Sequence, residues 1–202
     1  MKPSTDTAPR EDAAAQRSAL IQSDLACILV RALAERKAGK GTLPEMLGLM
    51  PAQIEDLART YFPGLHLPDL DTPVPDRTSD QDAIAMLLLW RGGVKSPESH
   101  WLASIIARRA MEKRHLWEDM GLPSRQALGA LIARHFPRLH AANTQNMRWK
   151  KFFYRQICSD ADFALCLSPT CDDCEEKLDC FAPEDTVLPI GDASDWDHVQ
   201  HQ

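Results

Sequence analysis

The chain lacks any apolar stretch able to cross a membrane: no run approaches the roughly 18 residues that a span needs, and Met1 to Gln16 holds no apolar segment of the kind a secretory leader carries. A cytoplasmic protein with no membrane association is therefore expected. It also lacks a basic excess. The net charge is −6, and a general nucleic-acid binder would carry a basic face instead. Strand-like alternation is scarce. There is no Gly-rich phosphate loop, no G-x-S-x-G elbow and no H-E-x-x-H helix, so no nucleophile or acid–base set stands out and no enzyme is expected. At 202 residues the chain is long enough to bury a core without cysteine staples.

Helical periodicity is what the chain has in abundance. Apolar residues recur at three- and four-residue intervals in Leu25, Ile28, Leu29, Ala32 and Leu33, in Ile54, Leu57 and Ala58, and in Ile84, Leu87 and Leu88. The fold class read from this is all-α. Ser124 before the run Leu128, Leu131, Ile132 suits a helix start, and Phe136-Pro137 marks that helix's end, because proline disfavours the α conformation of the residue before it. The pattern also repeats. Ile54 to Leu57 with Tyr61-Phe-Pro-Gly-Leu-His66 aligns, at an offset of 74, with Leu128 to Leu131 and His135-Phe-Pro-Arg-Leu-His140. Leu43 to Leu49 aligns with Leu116 to Leu122, and Leu25 to Arg31 with Leu102 to Arg108. Two related helical units are expected, at about 20–66 and 97–140, paired in a bundle because two repeats are too few for a solenoid.

Near the C-terminus Cys166, Cys171, Cys174 and Cys180 are spaced C-x4-C-x2-C-x5-C. Thiolates this close in sequence read as one site, and in a reducing compartment clustered cysteines bind metal more often than they form disulfides. Structural zinc usually uses two chelating pairs a dozen or more residues apart, and only one C-x2-C is present here. Iron–sulfur clusters accept compact loops, and the plant-type ferredoxin spacing begins with the same C-x4-C-x2-C. Spacing thus favours iron and sulfide over zinc. Cys158 is a candidate additional donor, whereas Cys27 lies on an apolar helical stripe and reads as a small core residue. The aligned His66 and His140 read as helix-ending contacts rather than ligands.

The cysteines follow Met147-Arg-Trp-Lys-Lys-Phe-Phe-Tyr-Arg-Gln-Ile-Cys158, expected as a helix over about 143–158. Arg148, Lys150, Lys151 and Arg155 make it basic. The cysteine segment opposes it in sign, with five acids from Asp172 to Asp179 against Lys177. Arg148, Trp149, Lys150, Lys151 and Arg155 are therefore candidates for holding that acidic segment or docking a partner. Trp149, Phe152, Phe153 and Tyr154 either shield a cofactor or pack in the core, and packing is the expectation for most of them.

The cysteine spacing directly after this basic aromatic segment, together with Phe-Pro-x-Leu-His, resembles the NifQ family of nitrogen-fixation proteins over about residues 20–182. The resemblance implies a carrier that holds an iron–sulfur cluster (3Fe–4S or 4Fe–4S type) with molybdenum and donates the metal for the iron–molybdenum cofactor of nitrogenase. It implies Cys166, Cys171, Cys174 and Cys180 as cluster ligands. It also implies as partners the NifEN scaffold, the nitrogenase iron protein and a molybdenum source, with no nucleic acid. The alternatives are an iron–sulfur electron-transfer protein and a zinc-stabilised adaptor. The expected organisation is a flexible tail over 1–16, one helical domain over 17–182 with an irregular cysteine loop at 158–180, and a flexible tail over 183–202.

Overall fold

A computed structural model of the chain describes residues 8–160. These form helices and connectors with no strand among them. In chain order the helices are α1 (Ala8–Lys37), α2 (Leu43–Leu47), α3 (Pro51–Tyr61), α4 (Ser79–Arg91), α5 (Pro97–Ala110), α6 (Leu116–Asp119), α7 (Arg125–His135), α8 (Pro137–Ala142) and α9 (Trp149–Asp160).

Helix α5 forms the centre. Trp101 to Ile106 are all buried, so this helix has almost no solvent face, and α2, α4, α6 and α7 pack around it. Helix starts are set by side chains that satisfy backbone N–H groups left without helical partners. Thr42, Thr78, Ser96 and Ser124 each accept from the N–H three residues on, at 3.2–3.4 Å. Glu45 and Gln81 return a bond to the capping residue's own N–H, completing capping boxes at α2 and α4.

Two boundaries differ from the sequence expectation. Helix α1 begins at Ala8, so residues 8–16, assigned above to a tail, are helical. The stretch has no apolar stripe to bury, but Ala13, Ala14 and Ala15 carry high helix propensity and extend a helix whose later turns are anchored in the core. The basic aromatic helix begins at Trp149, not near 143. Asn143 forms a closed local turn instead: its side chain accepts from Met147 N–H at 2.8 Å and donates to Met147 O at 2.9 Å, with Asn146 at φ 50°. Asparagine competes with the helix through such local bonds.

The aligned positions have matching geometry. Phe62 and Phe136 end α3 and α7 with φ −137° in both and ψ 59° and 55°, each donating to the carbonyl four residues back. Arg31–Glu35 and Arg108–Glu112 are ion pairs at 2.9 and 2.7 Å, one on each long helix. Gly48 (φ 65°) lies against Arg108, and Gly121 (φ 74°) lies against Arg31, so each connector glycine packs on the other half's long helix. A Cβ at either site would come within 2.7 Å or less of the arginine Cβ, and both glycines also hold the left-handed conformation that side chains disfavour.

Among the described residues the core holds one fully buried charge. Arg109 on α5 is 0% exposed and pairs with Glu35 on α1, which Arg31 and Lys40 also flank. Burial pushes the Glu35 carboxyl up, but the Arg109 hydrogen bond and these surrounding cations outweigh it and hold the group below its ordinary value.

Candidate functional site

Cys166, Cys171, Cys174 and Cys180 lie outside the described residues, as do the acidic positions between them. The structure describes the platform that leads to them. Among the described residues no three His, Cys, Asp or Glu side chains converge as a metal-holding set. Cys158 sits in the last turn of α9, half-buried, eight positions before Cys166. Cys27 is half-buried and packs against the core from α1, as its stripe position indicates. His66 is exposed beside Gly64 O, and His140 stacks on Trp149 with ring centroids 6.0 Å apart.

Helix α9 is held by its aromatic face. Trp149, Phe152 and Phe153 are buried and form a mutual cluster, with centroid separations of 5.6, 5.9 and 6.2 Å. They are core residues. Tyr154 is half-buried and donates to Asp80 on α4 at 3.4 Å, and Arg91 of α4 reaches Gln156 at 3.2 Å. The helix carrying Cys158 is thereby fixed against α4 along its length.

The basic residues of α9 divide into different roles. Lys150 points inward. Its ammonium donates to Arg114 O at 2.6 Å, to Glu112 O, and to the buried carboxylate of Asp119 at 2.7 Å. It therefore ties α9 to the connector between α5 and α6. Arg148 and Lys151 line a half-open cavity of about 480 Å³ beside this tie. Arg155 is exposed on the part of α9 beyond that cavity.

Three segments line the cavity: Lys113 to Glu118 from the α5–α6 connector and α6, Arg125 and Leu128 from α7, and 148–151 at the start of α9. Among the described residues, six that line it are lysine or arginine and one, Glu118, is acidic. Glu118 accepts from His115 N–H at 3.1 Å, which caps α6. Arg125 is buried and donates to Asn146 Oδ1 at 3.2 Å, bracing the turn that precedes α9. Sequence reading found Arg148 and Lys151 here but missed Lys113, Arg114, Arg125 and Trp117. The available signal was the tract Lys113-Arg-His115, which leads straight into α6.

His135 is the other unusual polar group. It is 1% exposed, both ring nitrogens lack a hydrogen-bond partner among the described residues, and burial lowers its pKa to about 4, with Arg134 and Arg17 adding to the effect and Glu98 opposing it. It is a neutral ring packed beside Phe136.

The family model described as NifQ matches residues 24–182. Protein NifQ of Rhodobacter capsulatus is 59% identical over 160 residues, which covers 79% of this chain and 89% of that protein. Protein NifQ homolog of Sinorhizobium fredii is 39% identical over 171 residues (82% and 74%), and Protein NifQ of Azotobacter vinelandii is 35% identical over 170 (77% and 87%). No solved structure matches the chain.

Proposed function

Because the chain belongs to the NifQ family, we propose that it is a nitrogen-fixation carrier that holds an iron–sulfur cluster and delivers molybdenum for the iron–molybdenum cofactor of nitrogenase. The observation that carries this reading is the cysteine quartet, spaced C-x4-C-x2-C-x5-C and placed immediately after α9 in a chain with 59% identity to a Protein NifQ. Cys166, Cys171, Cys174 and Cys180 are the cluster ligands in this reading, with Cys158 as an additional donor. Soft thiolates suit iron and sulfide, and sulfide in such a cluster supplies the site for molybdenum. The protein acts as a carrier and not as an enzyme, in the cytoplasm, with the NifEN scaffold, the nitrogenase iron protein and a molybdenum source as partners.

The helical body serves this role as a rigid mount. Helix α9 is pinned to α4 and to the α5–α6 connector, so the ligand segment starts from a fixed point. We read residues 20–66 and 97–140 as related units, on the strength of the reciprocal Gly48–Arg108 and Gly121–Arg31 contacts. In this reading the positive charge of Arg148, Lys151 and Arg155 attracts an acidic partner surface, while Lys150 secures the helix that carries it.

Purification without oxygen, followed by iron, sulfide and molybdenum analysis and electron paramagnetic resonance, tests the proposal. Iron and sulfide with bound molybdenum are expected. Zinc alone would overturn it, and a cluster that cycles reversibly without ever taking up molybdenum would assign the chain to electron transfer instead. Cys171→Ala and Cys174→Ala should each abolish the cluster while leaving helical content and the melting transition of the body in place.

A further inference from the structure

We propose that the cavity between α6 and the first turn of α9 binds a tetrahedral oxyanion dianion, which under the function proposed above is molybdate, on side chains other than the cysteines. The argument starts from charge. A chain of net −6 gathers six lysines and arginines around one half-open space in which Glu118 is the single lining carboxylate among the described residues. A cleft lined by charge of one sign concentrates ions of the opposite sign.

Part of it is already offset. Lys150 is neutralised by Asp119, and Arg125 donates to Asn146. Lys113, Arg114 and Arg148 have no carboxylate partner among the described residues, yet they arrive from two separate segments at the same cavity. Two other kinds of donor join them. Trp117 lines the cavity, and its indole N–H is buried with no acceptor among the described residues. The first turn of α9, with no acidic residue in it, brings backbone N–H groups that a helix start leaves without partners. Guanidinium, ammonium, indole and amide groups are all donors, so the lining suits an acceptor-rich anion and repels a cation.

Size and shape narrow the class. A volume of about 480 Å³ takes a small ion with several waters, each occupying about 30 Å³ in the liquid. A nucleic-acid strand would need stacking surfaces, and the rings of α9 that might supply them are buried in the core. In water molybdenum is carried as a tetrahedral dianion of oxygen, so a basic cavity beside the helix that leads to the cysteines is a place where the incoming metal can wait. The other candidate occupant is the acidic segment around Asp172 to Glu176 of the same chain.

Isothermal titration calorimetry on the full chain, kept from oxygen, tests this with molybdate, tungstate and sulfate at fixed ionic strength. Saturable binding of one ion is expected, at least tenfold weaker in the double variant Arg114→Gln, Arg148→Gln and several-fold weaker in Trp117→Phe. Circular dichroism melting should stay unchanged. Failure of wild type to bind any of the three ions, or equal binding by the double variant, overturns the proposal. In Asp172→Asn, Asp173→Asn protein the affinity should stay the same; a tenfold gain would mean that the acidic segment fills the cavity, and would also overturn it. Its fate is separable from that of the molybdenum reading. Loss of cavity binding in the arginine variant with cluster iron intact sustains the cavity, while specific sulfate binding in a protein devoid of molybdenum sustains the oxyanion site and sinks the molybdenum function.

Discussion

Lys150→Met removes the ammonium that ties α9 to the rest of the body, and its consequence can be worked from three contacts. The substitution keeps most of the side-chain volume but deletes the donor to Arg114 O, to Glu112 O and to Asp119. Asp119 is 3% exposed, so its carboxylate would stay buried beside a methyl group. Breaking one side of a buried pair costs about 3–5 kcal/mol. The Lys150 side chain keeps 21% exposure, so water can replace part of what is lost, and a cost of about 2–3 kcal/mol is expected. For a chain of this size that lowers the melting temperature by about 4–12 °C. Lys113→Met, on the exposed rim of the same cavity, should change stability by less than about 0.5 kcal/mol. Urea unfolding of the wild type, Lys150→Met, Asp119→Asn and the double variant gives the coupling directly. A Lys150→Met protein within about 0.5 kcal/mol of wild type, or strictly additive single variants, would refute the clamp and return Lys150 to the set of solvent-facing charges.

Three other measurements probe the body. The His135 ring has a folded pKa of about 4 against an ordinary 6.5, so the unfolded chain takes up the proton first: this contribution is complete above about pH 6.5 and is lost as the pH falls toward 4. Urea unfolding should show wild type losing about 2 kcal/mol more than His135→Leu between pH 7 and pH 5, and parallel pH profiles would refute a buried neutral ring. Glu35→Ala leaves the fully buried Arg109 guanidinium without its carboxylate and should cost about 3–5 kcal/mol in chemical denaturation; a loss below about 1 kcal/mol would mean that water reaches the pair. Gly48→Ala and Gly121→Ala each add left-handed strain of about 1–2 kcal/mol plus a collision with an arginine Cβ, and similar losses at the two sites are expected in thermal melts. A tolerated alanine at either would contradict the reciprocal packing.

Much of this protein was legible because the determining interactions are local. Helical class follows from apolar spacing, the Ser124 start from one side-chain oxygen bonding Ala127 N–H, and the Phe136 stop from the proline after it. The family was legible for the same reason, since the C-x4-C-x2-C-x5-C quartet and the segment before it are contiguous in the chain. Boundaries failed where a local competitor won: Asn143 closed a turn on Met147 that the apolar pattern could not reveal, and the alanines of 8–16 extended a helix with no stripe to signal it.

Which side of α9 faces inward was decided only by tertiary packing. Lys150 and Lys151 are adjacent, chemically identical and both line the cavity, yet it is Lys150 that closes on Asp119, because successive helical residues differ by about 100° in direction and the α5–α6 connector lies on one side. The cavity likewise exists only in three dimensions. Its cations come from residues 113–114, 125 and 148–151, unremarkable as separate charges along the sequence, and they acquire a joint field because α5 is buried on nearly every side and the connectors must converge around its end. Sequence determined the helices through short-range bonds and the family through contiguous motifs; the fold decided which charges share a space, because that depends on how apolar faces distant in the chain exclude water together.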